Sequence, residues 1–349
     1  MKIQSVFTRP YALPLRRPWA AAKTVMARRE GFLIALTADD GLTGWGDCAP
    51  LPSAAPQQRR ALAEAWQHCL RVLPGMSEPD TLARCGQLAT GELRWALETA
   101  LHDLAARRAG LPLARYLGAE RFSGRVAVNA ALGALDAQTA QRAAAALEQG
   151  YKVAKIKLGL NPIAQELGWL EELNTRCDGA LRLRLDANRA WPLAQARQFL
   201  KALTALPIEA VEEPLAEPDL RELKALQEAL PFSLALDESL GLFPLKTLFA
   251  HSPVRRWVVK PARFGGMMAA LELAAQARMA GVELVLTSVV DSSVGVAAGA
   301  QLAAALAPDM AHGFATLPWL VNDVAQPPSL HDGYLCLGLA PGLGLTPER

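Results

Sequence analysis

Five ionisable residues recur at near-regular steps through the middle of the chain. Lys157, Asp186, Glu212, Asp237 and Lys260 lie 29, 26, 25 and 23 residues apart, and each closes a short β-prone run. A step of that size accommodates one strand, one helix and two turns. Catalytic groups in parallel (β/α) barrels sit at strand C-termini, so five consecutive units would aim all five side chains into one mouth. Asp186, Glu212 and Asp237 form an oxygen-only donor set on three adjacent strands. Such a set suits Mg²⁺, with Mn²⁺ able to substitute, and disfavours zinc, which prefers nitrogen and sulfur. Lys157 and Lys260, on the second and sixth of eight strands, would confront one another across the pocket. That is an acid/base layout around a chelated carboxylate.

Strand periodicity sharpens the placement. In Leu181-Arg182-Leu183-Arg184-Leu185-Asp186 the leucines take one face and the charged residues the other, because successive side chains alternate across a strand. The leucines must face the helices, which turns Arg182, Arg184 and Asp186 into the barrel, as Lys155 and Lys157 are turned in Lys155-Ile156-Lys157. Charges without partners are costly inside a protein, so this placement implies a functional counterpart. A lysine acts as a base only when neutral part of the time, and nearby cations favour that form. Lys155, Arg184, Asn188, Glu238 and Ser288 are candidates for touching the substrate or bracing the ligands. Arg182 reads equally well as a structural counter-ion. Three mouth carboxylates serving only as ion-pair partners would repel one another unless a cation joined them.

The elements that must position these groups are legible in outline. β-Prone runs over Ile3 to Thr8 and Phe32 to Thr37, with the Asp39-Asp40-Gly41 turn, predict antiparallel hairpins. Leu93, Leu97, Leu101 and Leu104 fall at helical spacing. The N-terminal third is therefore an α+β unit. Beyond Gly124, runs at Val126–Asn129, Val153–Leu158, Leu181–Asp186, Ala210–Glu212, Leu234–Asp237, Trp257–Lys260 and Glu283–Leu286 alternate with Ala/Leu-rich helices, and an eighth is expected near Ala311–Ala315. This pattern predicts an α/β fold, a modified TIM barrel of (β/α)7β type with an N-terminal α+β capping domain. An open doubly wound sheet is the alternative. The boundaries expected are 1–123 for the cap, 124–318 for the barrel, and 319–349 for a Pro/Gly-rich tail returning to the cap.

Composition narrows the function. The 349 residues carry 36 Lys and Arg against 34 Asp and Glu, a net charge of +2. No basic stripe for nucleic acid results, and a small-molecule carboxylate is the expected partner. The five cysteines (Cys48, Cys69, Cys85, Cys177, Cys336) lack paired spacing, which fits a reducing compartment. The first residues contain no uninterrupted apolar core, and no membrane span is expected, so the cytoplasm is the predicted location. Self-association into a homo-oligomer stays open. His68, His102, His251, His312 and His331 have no ligand spacing and are expected at the surface or in packing. A helix start near Gly265-Gly266 has the character of an anion site. The stretch Arg16 to Arg29 reads either as a flap closing over the pocket or as a plain hairpin connection.

The chain resembles the enolase superfamily, muconate-lactonizing-enzyme subgroup, along nearly its whole length. The resemblance is carried by Gly44-Trp45-Gly46-Asp47, by the helix ELRWALETALHDLAARRAGLPL, and by KIK, DAN, EEP, DES and KP in that order. It implies Asp186, Glu212 and Asp237 as metal ligands, Lys157 as base and Lys260 as the cation facing it. A lysine base working with Mg²⁺ is an established arrangement of this superfamily. Within the subgroup, GWGDCAPLPS, LRLDANRAW, VEEP, LDESL, VVKP and LTSVVDSSVG are similar to the o-succinylbenzoate synthase family. That implies a Mg-dependent hydro-lyase of menaquinone biosynthesis, dehydrating 2-succinyl-6-hydroxy-2,4-cyclohexadiene-1-carboxylate through an enediolate, with Lys260 as a cation over the ring. Alternatives are an N-acylamino acid racemase or dipeptide epimerase using both lysines as bases, a cycloisomerase, or a non-catalytic barrel binding a carboxylate metabolite. Dipeptide epimerases place Asp-x-Asp at the end of the eighth strand, where this chain reads His312-Gly313-Phe314-Ala315-Thr316-Leu317.

Overall fold

The computed structural model describes residues 1–21, 24–51, 53–88 and 91–347. The chain opens with a three-stranded antiparallel sheet, β1 (Ile3–Ala21), β2 (Thr24–Ala38) and β3 (Thr43–Cys48). Helices α1 (Pro56–Val72), α2 (Glu78–Cys85), α3 (Gly91–Arg108) and α4 (Leu113–Tyr116) follow. Helix α3 is buried on nearly every side. Leu93, Ala96, Leu97, Ala100 and Leu104 pack under the cap sheet, while Trp95 and Ala106 join the barrel core. A helix apolar all round belongs in an interior, and its two buried acids are accordingly matched to donors. Glu98 accepts the N–H of Met268, and Asp103 accepts those of Trp45 and Leu343. The glycines of the Gly-Trp-Gly motif let β3 lie against this helix: a Cβ at Gly46 would stand 1.8 Å from the Ala96 carbonyl oxygen.

The second unit is a curled parallel sheet of seven strands with helices outside. In chain order come β4 (Arg125–Ala127), β5 (Ala130–Ala134), α5 (Thr139–Glu148), β6 (Val153–Lys157), α6 (Ile163–Arg176), β7 (Arg182–Asp186), α7 (Leu193–Ala202) and β8 (Ile208–Glu212). Then come α8 (Leu220–Glu228), β9 (Ser233–Leu236), α9 (Leu245–His251), β10 (Arg256–Val259), α10 (Pro261–Phe264), α11 (Met267–Met279), β11 (Glu283–Leu286) and α12 (Ser293–Leu306). The parallel sheet runs from β5 to β11 in sequence order, as right-handed strand–helix–strand units require. Ile156, Leu183 and Leu185 are fully buried against the helices.

The structure corrects two expectations. The first barrel strand is β5, because β4, which overlaps the Val126–Asn129 run expected to be that strand, pairs instead with the tail hairpin β12 (Ser329–His331) and β13 (Tyr334–Cys336). The expected eighth strand is reduced to single parallel bridges, His312 to Val128 and Gly313 to Thr287. These bridges span the opening of the curl. The tail docks on the cap: Leu113 donates to the Gly342 carbonyl, and Arg107 to that of Leu345. No described helix is long and apolar enough to cross a membrane, and all five cysteines are free thiols.

Candidate active site

Register brings the predicted residues together. Across the parallel ladder Lys157 pairs with Asp186, and Asp186 with Glu212. Asp237 follows β9 immediately, and Lys260 follows β10. Lys155, Lys157, Asp186, Asp237 and Lys260 all line one cavity of about 890 Å³, at whose wall Asn188, Glu238 and Ser288 also stand. Between the strands of Lys157 and Lys260 lie β7, β8 and β9, which carry the carboxylates.

The amines are held by polar partners. Lys157 Nζ donates to Asn188 Oδ1 at 2.9 Å. Lys155 pairs with Asp186 at 3.1 Å and with Glu212 at closer range, and Lys260 pairs with Asp237. Burial acts to lower the Lys155 pKa, but Asp186 and Glu212 outweigh it and the net direction is upward. Lys155 is thus a neutralising partner of the carboxylates. Burial likewise opposes the charge on Asp186, yet Lys155 and Lys157 hold its carboxyl below the usual range. Burial prevails at Glu212, aided by Asp186 and Asp237, and pushes its carboxyl up.

Do these residues suit a divalent cation? The donor set is all oxygen, and Glu212 Oε1 is buried without any hydrogen-bond partner, which is costly unless something cationic meets it. Asp186 and Glu212 are paired with Lys155 and Asp237 with Lys260, and among the described residues no group of three or more His, Cys, Asp or Glu side chains is already gathered round one point. Asp186, Glu212 and Asp237 fit a hard cation such as Mg²⁺.

Three inward charges on β7 have three different fates. Asp186 lies at the mouth. Arg184, a candidate for touching the substrate or bracing the ligands, is 1% exposed, is bonded to Glu209, Asn129 and the Ala311 carbonyl, and is not among the residues that line the cavity. Glu209 is shared with Arg256, closing a buried ion cluster across the sheet. Arg182, expected in the interior, is exposed at the opposite end of the strand. His312 is buried beside that cluster rather than superficial, with burial lowering its pKa to about 4. Leu286 N–H donates to its Nδ1 at 3.0 Å, so the proton sits on Nε2 and goes to the Ala307 carbonyl.

The aromatic and further polar lining was not legible in the sequence. Trp19, Phe264 and Trp319 form apolar wall, and Arg189, Arg263, Thr287 and Thr316 add polar groups. Trp19 belongs to β1, which pairs with β2, so the described part of the stretch Arg16–Arg29 is hairpin strand that also walls the cavity; residues 22 and 23 lie outside the described residues. Glu213 braces the mouth by accepting the N–H groups of Asp237 and Ser239 and the Ser239 hydroxyl. The helix start after Gly265-Gly266 is occupied by Glu98. Asn188, Arg189, Glu213 and Val290 take positive φ (44°, 63°, 48° and 58°) around the mouth. Such strain concentrates where a site must be held in one shape.

Comparison with known proteins agrees with this geometry. Residues 138–349 match the family described as enolase C-terminal domain-like, and residues 3–118 the mandelate racemase / muconate lactonizing enzyme N-terminal domain. The L-Ala-D/L-Glu epimerase of Bacillus subtilis is 30% identical over 87% of this chain and 85% of its own. Its substrate-liganded structure superposes with a TM-score of 0.86 over 99% of both chains at 26% identity. Muconate cycloisomerase 1 of Pseudomonas putida is 27% identical over 95% of this chain and 92% of its own. The fold is also that of a dipeptide epimerase from Enterococcus faecalis solved with Mg and the dipeptide L-Leu-L-Tyr, with a TM-score of 0.86 over 99% and 100% of the chains at 24% identity. Two adjoining family matches cover the capping sheet with its helices and the curled parallel sheet, and the chain belongs to the enolase superfamily, in its mandelate racemase / muconate lactonizing enzyme group.

Proposed function

We propose that this enzyme interconverts the two configurations at the α-carbon of an N-acylated amino acid, the C-terminal residue of a dipeptide being one such centre. The observation that carries the reading is the presence of two amines, Lys157 and Lys260, on one cavity, separated by the three strands that bear the carboxylates. A divalent cation held by Asp186, Glu212 and Asp237 would supply positive charge to the substrate carboxylate and so acidify the neighbouring C–H. Lys157, steadied by Asn188, takes the proton from one face as the Cα–H bond breaks, and Lys260 delivers its own proton to the other. Nothing leaves the substrate, and no oxidant or reductant is needed. The reverse direction exchanges the roles of the two amines.

The dehydration expected from the motifs, and with it the menaquinone pathway, yields to this reading. A dehydrating enzyme needs only one base, whereas Lys157 and Lys260 reach the cavity from either side of the carboxylate strands, and the similarity to the Bacillus epimerase supports proton return. The wall at Gly313, Ala315 and Thr316 presents no carboxylate. This favours an acyl group that is neutral or anionic over one that carries a free ammonium, as the N-terminal residue of a dipeptide does.

The test is incubation with Mg²⁺ in D₂O against a panel of N-acyl amino acids and dipeptides, followed by proton NMR and chiral chromatography. Deuterium at Cα together with the opposite configuration is expected. Dehydration of the succinyl-hydroxycyclohexadiene carboxylate, with no racemisation of any panel member, would overturn the proposal in favour of the single-base reaction. Absence of exchange in every ligand would leave the non-catalytic binding barrel.

A further inference from the structure

A second cluster of buried polar residues lies where the cap meets the barrel, outside the carboxylate site. One member comes from each strand of the cap sheet: Tyr11 from β1, Arg29 from β2 and Asp47 from β3. They converge on two consecutive residues of the barrel, Asp291 and Ser292. Tyr11 donates its hydroxyl to Asp47 Oδ1 at 2.6 Å, and Asp47 Oδ2 accepts the Ser292 hydroxyl at 2.8 Å and its N–H at 3.2 Å. Arg29 meets Asp291 Oδ1 at 3.2 Å. Asp291 Oδ2 in turn accepts the N–H of Val289 at 3.3 Å. The fit is tight, for a Cβ added at Gly295 on the first turn of α12 would lie 2.7 Å from Asp47 Oδ2.

What this cluster grips is the wall of the cavity. Val289 and Val290 line it, directly before the gripped pair. Val290 takes φ 58°, the left-handed region that a β-branched residue rarely enters. Isolated, such a turn would relax; strained conformers persist where their surroundings over-determine them. The same guanidinium also donates to the carbonyls of Ala49 and Pro50, directly before Leu51, which lines the cavity as well. Arg29 is 1% exposed and Asp47 3%, so neither group serves solvent or substrate.

We propose that Arg29 and Asp47 are positioning residues: from the cap they hold the Val289–Val290 turn in its left-handed form, and through Arg29 they tie it to the Ala49–Leu51 stretch, so that docking of the cap shapes two parts of the substrate cavity's wall. The grip does not depend on which carboxylate the enzyme acts on, and only its catalytic readout rests on the proposed racemisation.

Three variants test the grip: Arg29→Met, Val290→Gly and their combination. Glycine enters the left-handed region without strain. With the grip intact, glycine at 290 relieves strain; with the grip lost, the turn has already relaxed and there is nothing to relieve. The two substitutions are therefore expected to be coupled, the effect of Val290→Gly on the unfolding equilibrium constant differing at least about threefold between the two backgrounds. Amides 289–293 are expected to exchange hydrogen faster in Arg29→Met than in the unmodified enzyme. Both measurements need no substrate, so they stand if the proposed reaction is wrong. In turnover, Arg29→Met is expected to raise KM with kcat nearly kept, and adding Val290→Gly to recover part of the KM. Equal effects of Val290→Gly in both backgrounds, with unchanged exchange at 289–293, would overturn the proposal. Should Arg29→Met fail to fold, Arg29→Lys takes its place, since one ammonium cannot span both carbonyls and the carboxylate.

Discussion

Glu98 of the cap accepts the backbone N–H of Met268 in the barrel at 2.9 Å, which puts a buried carboxylate on the first turn of α11, a few residues beyond Lys260. Its other oxygen takes Arg94 at 2.7 Å. A negative group here satisfies an orphan N–H and meets the positive end of the helix. Glu98→Ala is expected to cost about 2 kcal/mol of unfolding free energy, and Glu98→Gln less, because the amide oxygen still accepts. Urea unfolding of the two variants checks the order; equal stability of all three proteins would show that this contact contributes nothing.

The paired amines give a stereochemical prediction. If each lysine serves one face, Lys157→Arg should abolish Cα exchange starting from one enantiomer and Lys260→Arg from the other, since arginine keeps the charge but not the titratable base. Exchange is read in D₂O from each enantiomer separately. Loss of both directions in Lys157→Arg with full activity in Lys260→Arg would assign the chemistry to a single base.

Cation binding is measurable without turnover. Mg²⁺ at about 100 times its Kd is expected to stabilise the fold by about 2.7 kcal/mol, by mass action on the folded state. The midpoint of thermal unfolding should rise on adding Mg²⁺ and fall back with a chelator. Glu212→Gln removes one ligand charge, so its midpoint should respond far less. An equal rise in this variant would place the ion elsewhere.

His312 supplies a pH dependence with a definite sign. Its pKa is lowered from the ordinary value of 6.5 to about 4 by burial. The folded state therefore binds the proton less readily than the unfolded chain. The resulting stability is present above pH 6.5 and is lost as pH falls through about 4. A shift of that size corresponds to about 3 kcal/mol. His312→Asn keeps an acceptor for the Leu286 N–H but has no ring to protonate. Its unfolding free energy should fall less steeply than that of the unmodified protein between pH 6.5 and 4; parallel curves would dismiss the assignment.

What the sequence by itself determined was the set of strand ends. Alternation in Lys155-Ile156-Lys157 and Leu183-Arg184-Leu185-Asp186 specifies which side chains turn inward, because a strand has a period of two, and the repeat of one strand–helix unit carries the same geometry to Glu212, Asp237 and Lys260. Depth along the strand is another matter. Arg182, Arg184 and Asp186 share a face, yet one meets solvent, one joins Glu209 and Arg256 in a buried cluster, and one reaches the mouth. Periodicity is blind to that difference, since it depends on where neighbouring strands begin and on which charges they bring alongside. The same limit hid the pairing of β4 with the tail and the reduction of the last strand to two bridges, both decided by residues far apart in the chain. Only the tertiary structure brought Tyr11, Arg29 and Asp47 onto the turn after β11 and set Trp19 and Trp319 in the same cavity wall. Nothing local marks such residues: their role arises from the packing of one domain against another.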